Sequence, residues 1–421
     1  MREKIAVLGL GYVGLPLSIA FDRNYEVVGF DIDQNRINEL KKFIDATNEV
    51  SKSELKKAKK ILFTSDSKKL KDCDIFVVTV PTPINKKNSP NLSSVISATK
   101  MIAKNIKKNS IVIYESTTFP GCTEEVCVPI LKKYTKLIYN KDFFCGYSPE
   151  RVNPGDKKRK LNQINKIISG SNKKTLSKIY KIYDKSLKSK IIKVKSIKIA
   201  EGAKIIENTQ RDLNIALMNE FSIIFKKLDI NFEDVLDAAK TKWNFIPFKP
   251  GLVGGHCIGV DPYYLAYKSK KVGYEPKIIL AGRKLNDSMS RYEGNLIYEK
   301  LKKKNNARVL VMGLSFKENV PDIRNSKSFD LISFLKEKKI NTECYDNNVN
   351  GKEVFQKYGI VPIKKLQKKS YDSVVILVGH DNFIDKRKDI KLLIKDNGMI
   401  YDFKNIYKTN KKIIYINEKN L

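Results

Sequence analysis

The chain has 421 residues, of which 42% are apolar and 30% charged, and its formal net charge at pH 7 is +35. This composition can bury substantial cores in two or three domains, and it excludes a disordered chain. Only 11 of the 81 basic residues are Arg and the Lys residues are scattered, so we expect no nucleic-acid partner but a surface that favours anionic small molecules.

The N-terminal region alternates strand and helix signals. Residues 4–8 and 26–30 are apolar runs that predict strands, and residues 13–21 between them have helical spacing, which together form a βαβ unit. Residues 74–80 and 111–114 predict further buried strands, each followed by a turn rich in Thr, Pro or Ser. In doubly wound sheets, ligands bind beyond the carboxyl ends of the strands, where these turns would lie.

A single long helix is predicted from about residue 196 to residue 229, because this stretch contains no Pro and only one Gly, Gly202. Its apolar positions, among them Leu213, Leu217 and Ile224, exceed what one small domain needs. The excess favours a role in packing two domains or two subunits, and we expect a homodimer.

A second alternating region begins with the apolar run 308–312, and further strands are predicted at 342–345, 373–378 and 399–401. Its first turn, 313–317, lacks the spacing of three glycines and predicts a poor dinucleotide site. We therefore predict an α/β fold: two Rossmann-like doubly wound domains joined by a long central helix and a helical middle domain. The predicted boundaries are 1–195 for the first Rossmann-like domain, 196–300 for the helical domain and 301–421 for the second Rossmann-like domain.

Neither a membrane segment nor a secretion signal is expected, since no apolar run reaches transmembrane length and the first strand follows a charged N-terminus directly. The six cysteines form no CxxC pair, and the two histidines, His256 and His380, lie far apart. We expect a cytoplasmic protein without a disulfide scaffold and without a metal site.

The glycine-rich turn after the first strand has the spacing Gly9, Gly11 and Gly14, which is strong evidence for a dinucleotide site when a strand precedes it and a helix follows. Asp31, at the end of the second strand, would accept hydrogen bonds from the adenosine ribose. A carboxylate there repels a 2′-phosphate and favours NAD over NADP, although Arg36 could soften that preference.

Three other polar residues admit two interpretations. Lys204 and Asn208 are four residues apart on the long helix and could meet one substrate, but an exposed polar stripe has the same spacing. Cys257 lies in Gly254-Gly255-His256-Cys257-Ile258-Gly259, where the glycines suggest close backbone approach to a ligand, yet a free cysteine is often an inert core residue. As a nucleophile, the thiol could trap an aldehyde.

Over nearly its whole length the chain resembles the nucleotide-sugar 6-dehydrogenases, which include UDP-glucose and GDP-mannose dehydrogenases. The resemblance rests on seven separated motifs in order: GLGYVGLP (9–16), VPTP (80–83), EST (115–117), SPER (148–151), AEGAKIIENT (200–209), GGHCIGVDP (254–262) and SFKENVPDIR (315–324). SPERVNPGD and NTQRDLNIALMNE are most similar to the branch that oxidises UDP-N-acetylhexosamines for bacterial surface polysaccharides.

The resemblance implies oxidation of the sugar C6 alcohol to a carboxylate by two NAD⁺, through an aldehyde held by Cys257 as the nucleophile. It implies oxyanion stabilisation by Lys204 and Asn208, proton transfer by Asp261 with a water held by Thr117, and a second acid/base at Glu150. The cofactor residues implied by the glycine turn and the neighbouring motifs are Gly9, Gly11, Tyr12, Val13, Gly14, Asp31, Arg36, Pro81, Thr82, Ser116 and Thr117. The substrate-binding residues implied are Glu150, Arg151, Lys204, Asn208, Gly254, Phe316, Lys317 and Arg324.

One departure concerns the sugar site. UDP-glucose dehydrogenases carry a second glutamate four residues after the first, and here that position is Pro154. We therefore expect UDP-N-acetylglucosamine or UDP-N-acetylgalactosamine as substrate, with UDP-glucose as the alternative. Two other classes stay open: a two-electron dehydrogenase or epimerase with a structural cysteine, and a basic nucleic-acid binder built on a Rossmann scaffold.

Overall fold

The structure of the chain, a computed structural model, describes residues 3–150, 161–407 and 412–415. It contains two compact units, Met1–Thr209 with Val260–Pro276 and Gln210–Gly259 with Lys277–Leu421. The chain passes from one unit to the other between residues 209 and 210, 259 and 260, and 276 and 277. The division into three domains at residues 195 and 300 stays a prediction.

The strands of the first unit are β1 (Lys4–Leu8), β2 (Glu26–Phe30), β3 (Ile61–Thr64), β4 (Ile75–Val78), β5 (Ser110–Tyr114), β6 (Phe143–Tyr147), β7 (Lys166–Gly170) and β8 (Ile191–Lys193). They form one sheet in the order β3-β2-β1-β4-β5-β6-β7-β8. Strands β1 to β6 are parallel and have the order of a dinucleotide-binding fold, whereas β7 runs antiparallel to β6.

The helices of the described residues before the second sheet are α1 (Gly14–Asp22), α2 (Gln34–Lys41), α3 (Lys52–Lys57), α4 (Ser93–Ala103), α5 (Val128–Tyr134), α6 (Lys173–Ser186), α7 (Ile197–Lys227), α8 (Phe232–Ala239), α9 (Asp261–Lys271) and α10 (Lys277–Leu301). A π-helical turn, Thr123–Cys127, leads into α5.

Both faces of the first sheet are covered, which explains why its strands are continuously apolar rather than alternating. In β1, Ile5 and Val7 point into one apolar cluster and Ala6 and Leu8 into the other, and all four are buried. The strand then ends at Gly9, whose φ of +96° turns the chain toward α1.

The second unit has a sheet made of β9 (Arg308–Met312), β10 (Asn341–Tyr345), β11 (Tyr371–Ile376), β12 (Ile394–Asp402) and β13 (Ile413–Tyr415). Its helices that follow β9 are α11 (Lys327–Glu337), α12 (Gly351–Tyr358), α13 (Asp381–Asp385) and α14 (Arg387–Lys391). The strand order is β10-β9-β11-β12-β13, and β13 alone among these described strands runs antiparallel. Two clusters, one on each face, again enclose an apolar sheet. The predicted α/β fold with two Rossmann-like sheets is thereby confirmed.

The long helix α7 has 31 residues, close to the predicted span. In the second unit it packs against α10 through a buried polar network rather than through apolar residues alone. Arg283 donates from Nη1 to Asp212 Oδ1 at 2.6 Å, and Asn286 Nδ2 donates to the same oxygen at 2.8 Å. Leu217 and Ile224 are instead 43% and 45% exposed. Among the described residues, no helix combines the length and the apolar character that crossing a membrane requires.

Candidate active site

The glycine turn between β1 and α1 can receive a dinucleotide. A Cβ atom on Gly14 would lie 1.9 Å from the carbonyl oxygen of Gly9, and one on Gly9 would lie 2.9 Å from that of Thr79, so both positions require glycine for packing. A Cβ on Gly11 would meet nothing within 4 Å. Gly11 therefore faces open space at the start of a helix, where backbone N–H groups attract a pyrophosphate.

Asp31 follows β2 and is half-buried beside this turn. Its Oδ2 accepts a hydrogen bond from the Leu10 N–H at 2.7 Å, and its Oδ1 accepts one from the Asp33 N–H at 3.0 Å. Each carboxylate oxygen accepts more than one hydrogen bond, so these contacts leave capacity for ribose hydroxyls. The carboxylate is fixed by the same turn that would bind the pyrophosphate.

Arg36 contacts the glycine turn and a buried carboxylate. Its Nε donates to the Leu10 carbonyl at 2.9 Å, and its Nη2 donates to Asp45 Oδ1 at 2.7 Å. Burial alone would raise the pKa of Asp45, but hydrogen bonds from Val50, Thr47 and Arg36 lower it. The guanidinium thus has a buried carboxylate partner within the chain, which is consistent with NAD rather than NADP.

The remaining cofactor residues predicted from the sequence lie at the same edge of the sheet, because the carboxyl ends of parallel strands point the same way. Tyr12 and Val13 immediately precede α1, Pro81 and Thr82 follow β4, and Ser116 and Thr117 follow β5. The Ser116 hydroxyl donates to the Val80 carbonyl at 2.7 Å and so ties the turns after β4 and β5 together. These residues and the open space at Gly11 fit an NAD molecule.

Four of the predicted catalytic residues come together in the first unit. Lys204 Nζ donates to the carbonyl oxygen of Glu150 at 2.8 Å and lies 3.5 Å from its Oε2. Asn208 Nδ2 donates to Asp261 Oδ2 at 2.5 Å. All four side chains are nearly or fully buried. Lys204 and Asn208 are therefore not an exposed polar stripe, although the spacing alone allowed that interpretation.

Asp261 is the acid/base candidate of this cluster. It begins α9 and is 1% exposed, and burial raises the pKa of its carboxyl to about 7 against the opposing effects of Lys204 and Asn208. A carboxyl with a pKa near the working pH can both take and return a proton. The arrangement places a cation, an amide donor and a tunable carboxyl around one small volume.

A second buried carboxylate, Glu201, anchors the loop that carries Thr117. Its oxygens accept hydrogen bonds from the Thr123 N–H at 2.9 Å, the Thr123 hydroxyl at 2.7 Å and the Gly121 N–H at 2.5 Å. Glu201 lies one turn before Lys204 on α7, so these bonds hold the loop after β5 against the helix that bears Lys204 and Asn208.

A buried ion pair fixes the loop that carries Glu150. Lys166 Nζ, on β7, contacts Glu115 Oε2 at 2.5 Å and donates to the carbonyl of Pro149 at 3.2 Å. The Tyr183 hydroxyl donates to the other oxygen of Glu115. Glu115 immediately precedes Ser116 and Pro149 immediately precedes Glu150, so one network joins the ends of β5 and β6.

Cys257 belongs to the second unit, on the segment before α9. Its side chain is half-buried, whereas the other five cysteines are buried, and none of the six forms a disulfide. A Cβ atom on Gly254 would lie 2.5 Å from the Asn325 carbonyl oxygen. Gly255 has a φ of +80°, and a Cβ there would lie 2.6 Å from the Phe316 ring. Gly254 and Gly255 thus allow close packing against the 314–325 loop, and Cys257 follows two residues after Gly255.

The predicted substrate residues of the second unit lie on that loop. Phe316 is half-buried, and its ring centroid is 5.5 Å from that of His256 in an edge-to-face arrangement. Arg324 pairs with Asp322 through Nε at 2.9 Å, and its Nη2 lies 3.4 Å from His256 Nδ1. His256 therefore packs against this loop. Lys317 is half-buried next to Phe316.

Two positions of interest, Arg151 and Pro154, lie outside the described residues. Within the residues that the structure describes, no three His, Cys, Asp or Glu side chains are grouped as a metal ion would need.

Sequence reasoning assigned no role to Glu115, Lys166, Glu201 or His380, although the first and third lie inside quoted motifs. From a single sequence, a lysine at the start of a strand and a glutamate near the start of a helix are both expected to be exposed. Their partners are 51 and about 80 residues away, which leaves no local signal.

The chain matches the NAD-binding domain of the UDP-glucose/GDP-mannose dehydrogenase family over residues 3–187. It matches the central domain of that family over 198–288 and the UDP-binding domain over 310–409.

Proteins with similar sequences include the UDP-N-acetyl-D-glucosamine 6-dehydrogenases of Pseudomonas aeruginosa, 49% identical, and Salmonella typhi, 47% identical, each over 95% of this chain and 96% of the relative. A solved structure, the UDP-N-acetyl-mannosamine dehydrogenase Cap5O from Staphylococcus aureus, is 30% identical with a TM-score of 0.83, covering 97% of this chain and 96% of that one.

These matches span all three family domains and agree with the cofactor cradle and the buried Lys204, Asn208 and Asp261 cluster. The substrate is a UDP-sugar and the cofactor is NAD. The chain belongs to the UDP-glucose/GDP-mannose dehydrogenase family and is an NAD-dependent nucleotide-sugar 6-dehydrogenase.

Proposed function

We propose that the chain oxidises the C6 hydroxyl of a UDP-N-acetylhexosamine, UDP-GlcNAc or UDP-GalNAc, to the uronic acid for a bacterial surface polysaccharide. The names of the relatives that are 47–49% identical support the acetamido sugar. The single observation that carries the mechanism is the buried cluster of Lys204, Asn208 and Asp261, with an Asp261 pKa of about 7. In total, one alcohol, two NAD⁺ and one water give one carboxylate, two NADH and three protons.

NAD⁺, held by the glycine turn and Asp31, supplies the hydride acceptor for both oxidations. In the first oxidation Asp261 accepts the proton of the C6 hydroxyl through a water held by Thr117, and an aldehyde forms. Lys204 and Asn208 donate hydrogen bonds to the oxygen on which negative charge develops. Glu150, fixed by Lys204, serves as the second acid/base.

The Cys257 thiolate then forms a C–S bond to the aldehyde carbon, and the resulting thiohemiacetal keeps the sugar attached to the chain. Loss of the second hydride from C6 leaves a thioester. Asp261 takes a proton from water, the water oxygen bonds to C6, the C–S bond breaks, and Cys257 leaves as thiolate. Cys257 is four residues from Asp261, so the chain itself limits their Cα separation to about 14 Å.

The exposed apolar positions of α7 support a homodimer. Ile206, Leu217 and Ile224 of α7 and Leu228 just after it are 64%, 43%, 45% and 60% exposed, and contact of several large apolar side chains with water is unfavourable. A second copy of the chain would remove them from solvent. We place the enzyme in the cytoplasm, where its six free thiols would stay reduced.

The test is a substrate panel of UDP-GlcNAc, UDP-GalNAc and UDP-glucose, with NADH followed by absorbance and the product identified by mass. We expect two NADH per acetamido sugar and a product heavier by 14 mass units, as conversion of CH₂OH to COOH requires. If the enzyme oxidises only UDP-glucose, then UDP-glucose and not an acetamido sugar is its substrate. One NADH per sugar would contradict the covalent scheme.

A further inference from the structure

His380 is fully buried in the second unit and bonds to both ends of a short segment. Its Nδ1 accepts a hydrogen bond from the Asn319 N–H at 2.9 Å. A backbone N–H can only donate, so in the neutral ring the proton lies on Nε2. That nitrogen lies 3.1 Å from Asp346 Oδ2 and 3.3 Å from the Ser315 hydroxyl.

Asp346, at the end of β10, fixes the start of the same segment. Its Oδ2 also accepts hydrogen bonds from the Leu314 N–H at 2.7 Å and the Ser315 N–H at 3.2 Å. The Ser315 hydroxyl donates in turn to the Lys317 carbonyl at 2.8 Å. Residues 314–319, which include Phe316 and Lys317, are therefore held at both ends by one Asp–His pair.

Residues 314–319 support the stretch of chain that carries Cys257. The Phe316 ring occupies the space that a side chain on Gly255 would need, and Asn325 Nδ2 donates to the Gly255 carbonyl at 3.0 Å. Gly254 packs equally closely against the Asn325 backbone. Cys257 follows two residues later, so a displacement of the 314–325 loop would displace the residues that precede the thiol.

We propose that His380 is a positioning residue for this reaction: paired with Asp346, it holds the 314–325 loop in the conformation that binds the UDP-sugar and presents Cys257. The inference rests on the proposed function. His380 itself contacts neither C6 nor the nucleotide in this scheme; it acts through Ser315 and Asn319.

Two variants separate its two bonds. In His380→Gln the amide nitrogen can still reach Asp346 while the acceptor for Asn319 is lost, and in His380→Asn the side-chain oxygen can still serve Asn319 while Asp346 loses its donor. Because one of the hydrogen bonds that hold the loop is lost, we expect His380→Gln to raise the KM for UDP-GlcNAc at least about fivefold. The KM for NAD should change less than about twofold, since its site lies in the other unit. Asp381→Asn, an exposed neighbour at the start of α13, is the matched control and should behave as wild type.

A second readout is the rate at which iodoacetamide alkylates Cys257 in the full-length protein, with mass mapping of the labelled cysteine. We expect at least about a threefold change in His380→Gln, in either direction, and none in Asp381→Asn; the order of magnitude again follows from one lost buried hydrogen bond. An unchanged sugar KM together with an unchanged alkylation rate would overturn the proposal, as would an equal rise in both KM values. If His380→Gln does not fold, Ser315→Ala, which keeps the histidine and loses one of its partners, must show the same selective rise in sugar KM.

The two proposals fail in different ways. A wild-type protein that oxidises none of the three UDP-sugars would refute the proposed function. A wild-type protein that oxidises UDP-GlcNAc, with a His380→Gln variant of the same sugar KM and alkylation rate, would refute the role of His380 only.

Discussion

The first strand of each sheet, β1 and β9, ends in the same backbone arrangement. In the first, Gly9 has a φ of +96° and Asp31 Oδ2 accepts the Leu10 N–H at 2.7 Å. In the second, Gly313 has a φ of +92° and Asp346 Oδ2 accepts the Leu314 N–H at 2.7 Å. Each time, an aspartate after the second strand fixes the turn after the first.

What differs is the space over the turn. At Gly11 a Cβ would meet nothing within 4 Å, whereas the corresponding position in the second unit is Ser315, whose hydroxyl lies 3.3 Å from His380 Nε2. Asp31 is half-buried, while Asp346 is 6% exposed and contacts that histidine. The same turn is thus open to a cofactor in one unit and closed by the chain itself in the other. A glycine turn indicates a dinucleotide site only when the later glycines keep that space open.

The largest expected effect concerns the thiol. If the second unit takes no part in cofactor binding, Cys257→Ala should lower uronic acid formation by about 10³-fold or more, while the Kd for NAD stays within about twofold of wild type. Stopped-flow NADH formation and calorimetry would measure both. Cys344→Ala, a buried cysteine of the same unit, is the control. A higher Kd for NAD in Cys257→Ala, but not in Cys344→Ala, would contradict the assignment of NAD binding to the first unit alone.

The two aspartates give the next largest effect. Asp31→Ala should weaken NAD binding by about 10- to 100-fold, since hydrogen bonds to a charged group are lost, with a smaller change in thermal stability. Asp346→Ala should leave NAD affinity unchanged but cost about 1–3 kcal/mol of the free energy of unfolding, because Leu314 and His380 lose a buried acceptor. Calorimetric titration and urea unfolding of both variants would show this exchange of effects; equal NAD affinities for the two variants would contradict it.

The smallest expected effect is on stability as a function of pH. Burial raises the pKa of Asp261 to about 7, above its unfolded value near 4, so ionisation of Asp261 opposes folding increasingly between about pH 4 and 7 and fully above pH 7. Asp261→Asn should therefore have a higher Tm than wild type at pH 8 and no advantage at pH 4, and each 1 kcal/mol of ionisation penalty corresponds to about 2–4 °C in a domain of this size.

Asp346 should show the opposite sign. Burial alone would raise its pKa, but the hydrogen bonds from His380 and from the Leu314 N–H lower it below the unfolded value. Its contribution to stability is then present above about pH 4 and is lost as the pH falls through the lowered pKa.

The Asp261 effect is tested by the Tm values of wild type and Asp261→Asn from pH 4 to 8. A difference in Tm that does not widen toward pH 8 would contradict it.

Much of the fold could be predicted because its signals are local. The apolar run of β1, the glycines after it and the uninterrupted periodicity of α7 each lie within a few tens of residues. The strand β7 was not predicted, because it starts with a lysine. Lys166 is buried in an ion pair with Glu115, which follows β5 and lies far away in sequence. The β4 prediction was two residues too long at its carboxyl end, since Thr79 already turns back to bond Gly9 through its hydroxyl.

The candidate site divides in the same way. The residues of the glycine turn could be named from their spacing, and Lys204, Asn208, Asp261 and Cys257 because the motifs resemble a known family. Glu201 and His380 could not, since each acts by holding a loop whose position only the folded chain defines. Arg36 shows the same limit: its position near Asp31 in sequence suggested contact with the cofactor, but its hydrogen bond to Asp45 could not be inferred from spacing.

The helix α7 has one further consequence. Glu201, Lys204, Asn208, Asp212 and Asn219 are all buried, and at 100° per residue they fall within a strip about 80° wide. One extra residue inserted between Asn208 and Asp212 would rotate the later members of this strip by about 100° relative to the earlier ones. Exposed positions of α7 can change without disturbing this strip, whereas an insertion or a deletion between residues 201 and 219 cannot.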